Sequence, residues 1–285
     1  MTLAMLLVAF AGPLTANAAA VNSHAHIMGN KHSVTKFARG SNMTYHNGPV
    51  MTGTANIYAI FWEPTGSYVS PTYNSLILRY FGDIGGSSLY ANNKQYTQTG
   101  GGFASNAVLA SSWVDTGAYT STTGTLQDSQ IQAEVTHAQS VNGWSPSLNN
   151  IFFVFTAKGE NICLGSSCSF TTFCAYHSNF GSNNLYASMV YTGTNLSACG
   201  VSTSPNSDFD ADSTINVTSH EQIEAATDPL GSAWYDSRGY EIGDKCAWNF
   251  GTTNAQGGDV TWNGHTYEVQ KEWDNHVTGC VLAGP

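Results

Sequence analysis

The segment from residue 213 to 229, STINVTSHEQIEAATDP, carries an imidazole and two carboxylates in a short stretch: His220, Glu221 and Glu224. Residues four apart lie on one face of a helix, so His220 and Glu224 point the same way, one turn apart. An imidazole nitrogen and a carboxylate oxygen in that arrangement can share a zinc ion at about 2.0–2.2 Å. Glu221, next in sequence, is turned about 100° around the helix. Ser213 is a candidate cap for the start of this helix. Asp228-Pro229 should stop it, because the residue before a proline is pushed out of the helical region. Ile215, Ile223 and Ala226 form its expected core-facing stripe. An acidic helix face with a capping histidine would read the same way, but the chain has only eight glutamates and two of them fall beside this histidine.

Glu221 stands where the His-Glu-x-x-His zincins keep their general base. The second histidine of that motif is replaced here by Glu224, which adds negative charge and makes the metal a weaker Lewis acid. A catalytic zinc needs a third protein ligand and one open position. Glu241, seventeen residues beyond Glu224, ranks first because that distance resembles the one used by glutamate zincins. Asp228 ranks second, since it falls where the helix breaks, and Asp244 third. The expected chemistry is water activation, with Glu221 taking the proton and the hydroxide attacking a polarised carbonyl. His177, Tyr176 and Tyr235 are candidate oxyanion stabilisers, and the sequence does not choose among them.

Other residues carry weaker patterns. Asp208, Asp210 and Asp212 alternate just before the helix and could supply oxygens to calcium, or simply form an acidic approach to its N-terminus. Asn42, Asn195 and Asn216 head glycosylation sequons, Asn216 poorly, since it lies inside the expected helix. His137 is expected on a solvated helix face. Trp248, Trp262 and Trp273 read as core more readily than as a carbohydrate platform. The chain lacks a Gly-x-Ser-x-Gly elbow and a phosphate loop, which argues against serine-hydrolase and nucleotide chemistry.

The elements that must position the motif are an alternation of strands and helices. Residues 54–62 and 150–157 read as strands, and 185–192 as a third. Ser70-Pro71 opens a helix whose apolar face is Leu76, Ile77, Tyr80, Phe81 and Ile84, and Gly85-Gly86 closes it. Residues 126–141 form a second helix with Leu126, Ile131, Val135 and Ala138 inward. Residues 88–123 suggest loops and short strands, as does the tail beyond 240. The expected class is α+β: one domain over residues 45–285, a mixed sheet with about three main helices and a zincin-like active-site helix, stapled by disulfides.

The chain opens MTLAMLLVAFAGPLTANAAA, an apolar stretch followed by small residues at Ala16, Ala18 and Ala20. Residues 1–20 therefore read as a secretory signal peptide, too short to anchor in a bilayer. Residues 21–44, with His24, His26 and His32, read as a mobile leader. Six cysteines behind such a signal imply disulfides, with Cys246 paired to Cys280 and local pairing among Cys163, Cys168, Cys174 and Cys199. A net charge of −10 argues against nucleic acid or anionic membranes as partners. The expectation is a secreted monomer of the extracellular space or cell wall, without a membrane anchor. Its substrate would be an extracellular peptide, protein or cell-wall component.

Several segments together resemble the phosphate-induced protein 1 family, also called the EXORDIUM-like family. They are Tyr45-His46-Asn47-Gly48-Pro49 before the strand Ile57 to Trp62, Phe173-Cys174-Ala175-Tyr176-His177-Ser178, and Thr227-Asp228-Pro229 followed by Trp234-Tyr235 and Glu241 to Cys246. The resemblance covers residue 45 to the end. It implies an extracellular protein and leaves the activity open, because plant members lack the His-Glu found at 220–221. An extracellular binding protein without catalysis is the alternative to a zinc peptidase.

Overall fold

The computed structural model describes residues 25–33, 41–121 and 124–285. The expected signal peptide and His24 lie outside the described residues. Nine elements build the frame: β1 His26–Gly29, β2 Gly53–Trp62, α1 Tyr73–Asp83, β3 Ala104–Asp115, α2 Asp128–Asn142, β4 Asn150–Thr156, β5 Phe173–Phe180, β6 Asn184–Met189 and α3 Phe209–Thr227. Beyond α3 the chain forms short hairpins, including Val260–Trp262 with His265–Tyr267 and Glu272–Asp274 with Gly279–Val281. The class is α+β, as expected.

The main sheet has the order β1-β5-β6-β4-β2-β3. The strands β3, β2, β4 and β6 run parallel, β5 runs against β6, and β1 runs against β5. Side chains alternate between two cores, as the pleat requires. On β4, Ile151, Phe153 and Phe155 face one core while Phe152 and Val154 face the other. The first core holds α1 and α3, and the second holds α2 through Ile131, Val135 and Ala138. The expected strands at 54–62, 150–157 and 185–192 are β2, β4 and β6. The stretch 88–123 differs from expectation. It contains a 3₁₀ turn, Tyr90–Gln95, and the twelve-residue edge strand β3. Its Ser and Asn content suits an edge strand with one face in solvent.

Residues 26–29 are not a mobile leader. They form β1, with His26 opposite His177 and Met28 opposite Ala175. Met28 is fully buried. Asn30 accepts from the backbone N–H groups of His32 and Ser33 and donates to the Phe170 carbonyl. The Trp248 indole donates to the Gly29 carbonyl.

Helix α3 runs through the interior, with every residue from Ala211 to Thr227 buried. A helix buried all round would ordinarily be apolar. This one is rich in Ser, Thr and Asn, and its neighbours supply partners. Tyr73 donates to Thr214, Tyr80 donates to Gln222, and the Gln270 N–H donates to Asn216. The cap is Asp208, which accepts from the Ala211 N–H, and not Ser213, whose hydroxyl accepts from Val201. Ser70 likewise does not cap α1. Its hydroxyl donates to Asp208, and the α1 cap position is Thr72. Asn216 is inaccessible as a glycosylation acceptor. Trp262 and Trp273 are core residues, and His137 lies exposed on α2 as expected.

The cysteines pair as Cys163–Cys168, Cys174–Cys199 and Cys246–Cys280. Three disulfides are what a protein folding in an oxidising compartment carries. Among the described residues, no helix is long and apolar enough to cross a membrane. Cys174–Cys199 fastens β5 to the turn before α3 and closes a 25-residue separation. Replacing both by alanine should cost about 3 kcal/mol, the loss of loop-closure entropy for a loop of that size. Urea denaturation under oxidising conditions checks this. An unchanged midpoint would show that the bond adds nothing to the hydrogen-bonded frame.

Candidate metal centre

Four regions of chain converge at the middle of α3. The helix contributes His220, Glu221 and Glu224 and, at its broken end, Asp228. Strand β5 contributes His177, on the face that looks at α3 because it alternates with Ala175. Its neighbour in register across the edge, His26 on β1, stacks on it with ring centroids 5.4 Å apart. The loop after residue 240 brings Glu241 and Asp244. That loop is fixed by Cys246–Cys280, by the Trp273 N–H donating to the Ile242 carbonyl, and by the buried Lys245 ammonium 3.0 Å from Asp236.

The ligand atoms form a nearly continuous line. His26 Nδ1 lies 2.8 Å from Glu241 Oε2, which is 3.0 Å from His177 Nε2. His177 Nε2 is 3.7 Å from Glu224 Oε2. The other Glu224 oxygen, Oε1, is 3.1 Å from His220 Nε2, itself 3.8 Å from Asp244 Oδ1. Two ligands of a tetrahedral zinc stand about 3.3 Å apart, given bonds near 2.0 Å. Three sets each place one histidine and two carboxylates within 4.8 Å: His220, Glu224 and Asp244; His177, Glu221 and Glu224; His26, Asp228 and Glu241.

Most of these atoms lack hydrogen-bond partners. His220 Nε2, both Glu221 oxygens, Glu224 Oε2, Asp228 Oδ2, Glu241 Oε1 and both oxygens of nearby Glu272 are buried and unsatisfied. His220 and Glu224 are close but misaligned for a hydrogen bond, as two groups aimed at a shared third centre would be. Among the described residues, the ion pairs of these carboxylates are with histidines alone. Burial drives the Glu221, Asp244 and Glu272 carboxyls well above their ordinary range. Burial, followed by Glu241, pushes Asp228 up to about 7. Burial and then the neighbouring His26 lower His177 to about 3. Burial alone would lower His26, but Glu241 outweighs it and holds that ring at about 10. Burial is likewise outweighed at His220, which Glu224 raises well above the imidazole range. Buried carboxylates without partners cost several kcal/mol each. A donor set of imidazoles and carboxylates with its lone pairs free is what a divalent transition ion requires.

The expected pair His220 and Glu224 comes together, but the third member of their set is Asp244, which ranked last. Glu241 and Asp228 lie instead with His26. Asp228 Oδ1 accepts from the Ser232 and Ala233 N–H groups, so the helix break that seemed to disqualify it holds its free oxygen in place. Of the expected oxyanion stabilisers, His177 reaches the cluster. Tyr176 faces the other core, where it donates to Asp128, and Tyr235 stacks on His46. Asp208, Asp210 and Asp212 are already engaged. Ser70 and Thr72 donate to Asp208, Tyr191 to Asp210, and Ser204 and Asn206 to Asp212. These contacts explain the aspartates as anchors for the start of α3. His26 read as part of a solvated leader, with a metal-binding tail the lesser alternative, and Glu272 was missed. Glu272 stands beside core Trp273, and a charge beside a buried tryptophan in a short strand was the signal available.

Gln270 spans His220 Nδ1 at 2.8 Å and the Gly243 carbonyl at 3.0 Å. The Gly243 carbonyl on its nitrogen and the Trp248 N–H on its oxygen fix the Gln270 amide with its NH2 group toward His220 Nδ1. Gly243 is required by the close approach of its loop. A Cβ there would lie 2.7 Å from His220 Nδ1 and 3.0 Å from Glu224 Oε1. Gly243→Ala should therefore weaken zinc binding by about 10–100-fold, the usual effect of disturbing groups that orient a ligand. Zinc titration against a competing chelator measures this. Unchanged affinity would show that the loop does not press on the ligands.

No family model, curated protein or solved structure matches this chain.

Proposed function

We propose that the protein is a secreted metal-dependent hydrolase acting on peptides, with zinc held by His220, Glu224 and Asp244. Its centre is a zincin-like helix in a single domain that shares the EXORDIUM-like architecture suggested by its sequence segments. The observation that carries this reading is the set of buried ligand atoms with no partner around α3. A divalent cation there would acidify a water and polarise a carbonyl. Glu221 would take the proton once a cation beside it favoured its ionised form, and neither of its oxygens has a partner among the described residues. His177 stands beside it on β5 and would donate to an oxygen that becomes negative once Glu241, its partner at 3.0 Å, is drawn onto a cation. Gln270 orients His220, and the Lys245–Asp236 pair holds the loop that delivers Asp244. Substrate would approach the His220 set from the end at Asp244, whose side chain is 16% exposed while His220 and Glu224 show none.

That near-complete burial favours a second reading, because structural metal sites are closed and catalytic ones keep a position open. In it the protein is an extracellular or cell-wall binding module whose ion serves stability. Incubating the zinc-loaded, oxidised protein with a peptide library separates the two. Cleavage abolished by chelator and restored by zinc supports the hydrolase. Intact peptides under all conditions leave the binding module.

A further inference from the structure

We propose that the cluster holds two cations, the second on His26, Asp228 and Glu241. This rests on the metal reading of the same cluster, but on different atoms. The set shares no residue with His220, Glu224 and Asp244, and His177 stands between them, 3.0 Å from Glu241 and 3.7 Å from Glu224.

Each member of the second set is brought in by a separate device. Antiparallel pairing of β1 with β5 sets His26 against His177. The Ser232 and Ala233 N–H groups hold Asp228 by one oxygen and leave the other, Oδ2, buried and without a partner. Glu241 is fully buried, with Oε2 against the two imidazoles and Oε1 unpartnered. The ion pair of His26 with Glu241 Oε2 therefore leaves two buried carboxylate oxygens, Asp228 Oδ2 and Glu241 Oε1, free beside one imidazole, which is the donor set a metal ion would take.

Charge points the same way. Glu221, Glu224, Asp228, Glu241, Asp244 and Glu272 are six carboxylates in a region with no lysine or arginine paired to them among the described residues. One imidazole with two carboxylates suits zinc or manganese. A cation there would make β1 part of the site rather than a leader.

The test is zinc stoichiometry by elemental analysis after dialysis, on the full secreted chain, for wild type, His26→Ala and Asp228→Asn. Asparagine keeps the oxygen that accepts from residues 232 and 233, so this variant retains the turn, and His26 lies on an edge strand. Circular dichroism confirms that each is folded. Two zinc ions in the wild type and one in each variant are expected. One zinc in all three overturns the second site and leaves the first standing. No zinc in the wild type after zinc is added back overturns both.

Discussion

Glu221→Gln should keep its bound zinc and lose hydrolysis by about 10²–10⁴-fold, the usual contribution of a positioned general base. Glutamine matches the shape of glutamate and keeps an oxygen, so the buried helix has no steric reason to move. What disappears is the ability to accept a proton at a site where neither carboxylate oxygen has a hydrogen-bond partner. The loss should fall on kcat more than on KM, because the proton moves in the transition state and not on binding. Steady-state kinetics on a cleaved peptide, with zinc content measured on the same sample, checks both halves. Full activity with full zinc would move the base elsewhere, His177 being the next group in reach. Loss of zinc together with activity would make Glu221 a ligand.

Removing the metal should lower the melting temperature by roughly 8–16 °C. A ligand present at a thousand times its Kd stabilises the folded state by about 4 kcal/mol. In a chain of this size each kcal/mol moves the transition by about 2–4 °C. The same argument predicts a reversal between variants. In chelator, Asp228→Asn should melt above the wild type, because it removes a carboxyl that burial pushes up and keeps the oxygen that accepts from residues 232 and 233. In excess zinc it should melt below the wild type, because it has lost a ligand. Differential scanning calorimetry in chelator and in zinc reads all four combinations. Equal melting temperatures of the wild type in the two buffers would show that the cluster is stable without a cation.

Part of this was legible in the sequence. The helix carrying His220 and Glu224, the strands β2, β4 and β6 and the Cys246–Cys280 bond follow from spacing and composition, whereas β5, which carries His177, does not. The third ligand did not, because Glu241 and Asp244 lie on an irregular loop where sequence distance fixes no direction. Asp244 is set beside Glu224 by its own backbone N–H, which donates to Glu224 Oε1 at 2.8 Å. His26 was hidden by its surroundings: a polar, histidine-rich segment reads as solvated, and only pairing with β5 gives it a place. The burial of α3 on every side was not legible either, since Ile215, Ile223 and Ala226 alone stood out as core-facing. Its Ser, Thr and Asn residues look like a solvent face, yet Tyr73, Tyr80 and Gln270 satisfy them inside the core.

The most direct measurement is the metal content of the oxidised, secreted protein, wild type beside His220→Ala, after dialysis against metal-free buffer. The proposed metal site predicts zinc retained by the wild type and lost from the His220 set in the variant, with both proteins folded. No metal in the wild type, even after zinc is added back, would contradict the account and leave a buried cluster whose charges are quenched by protons alone.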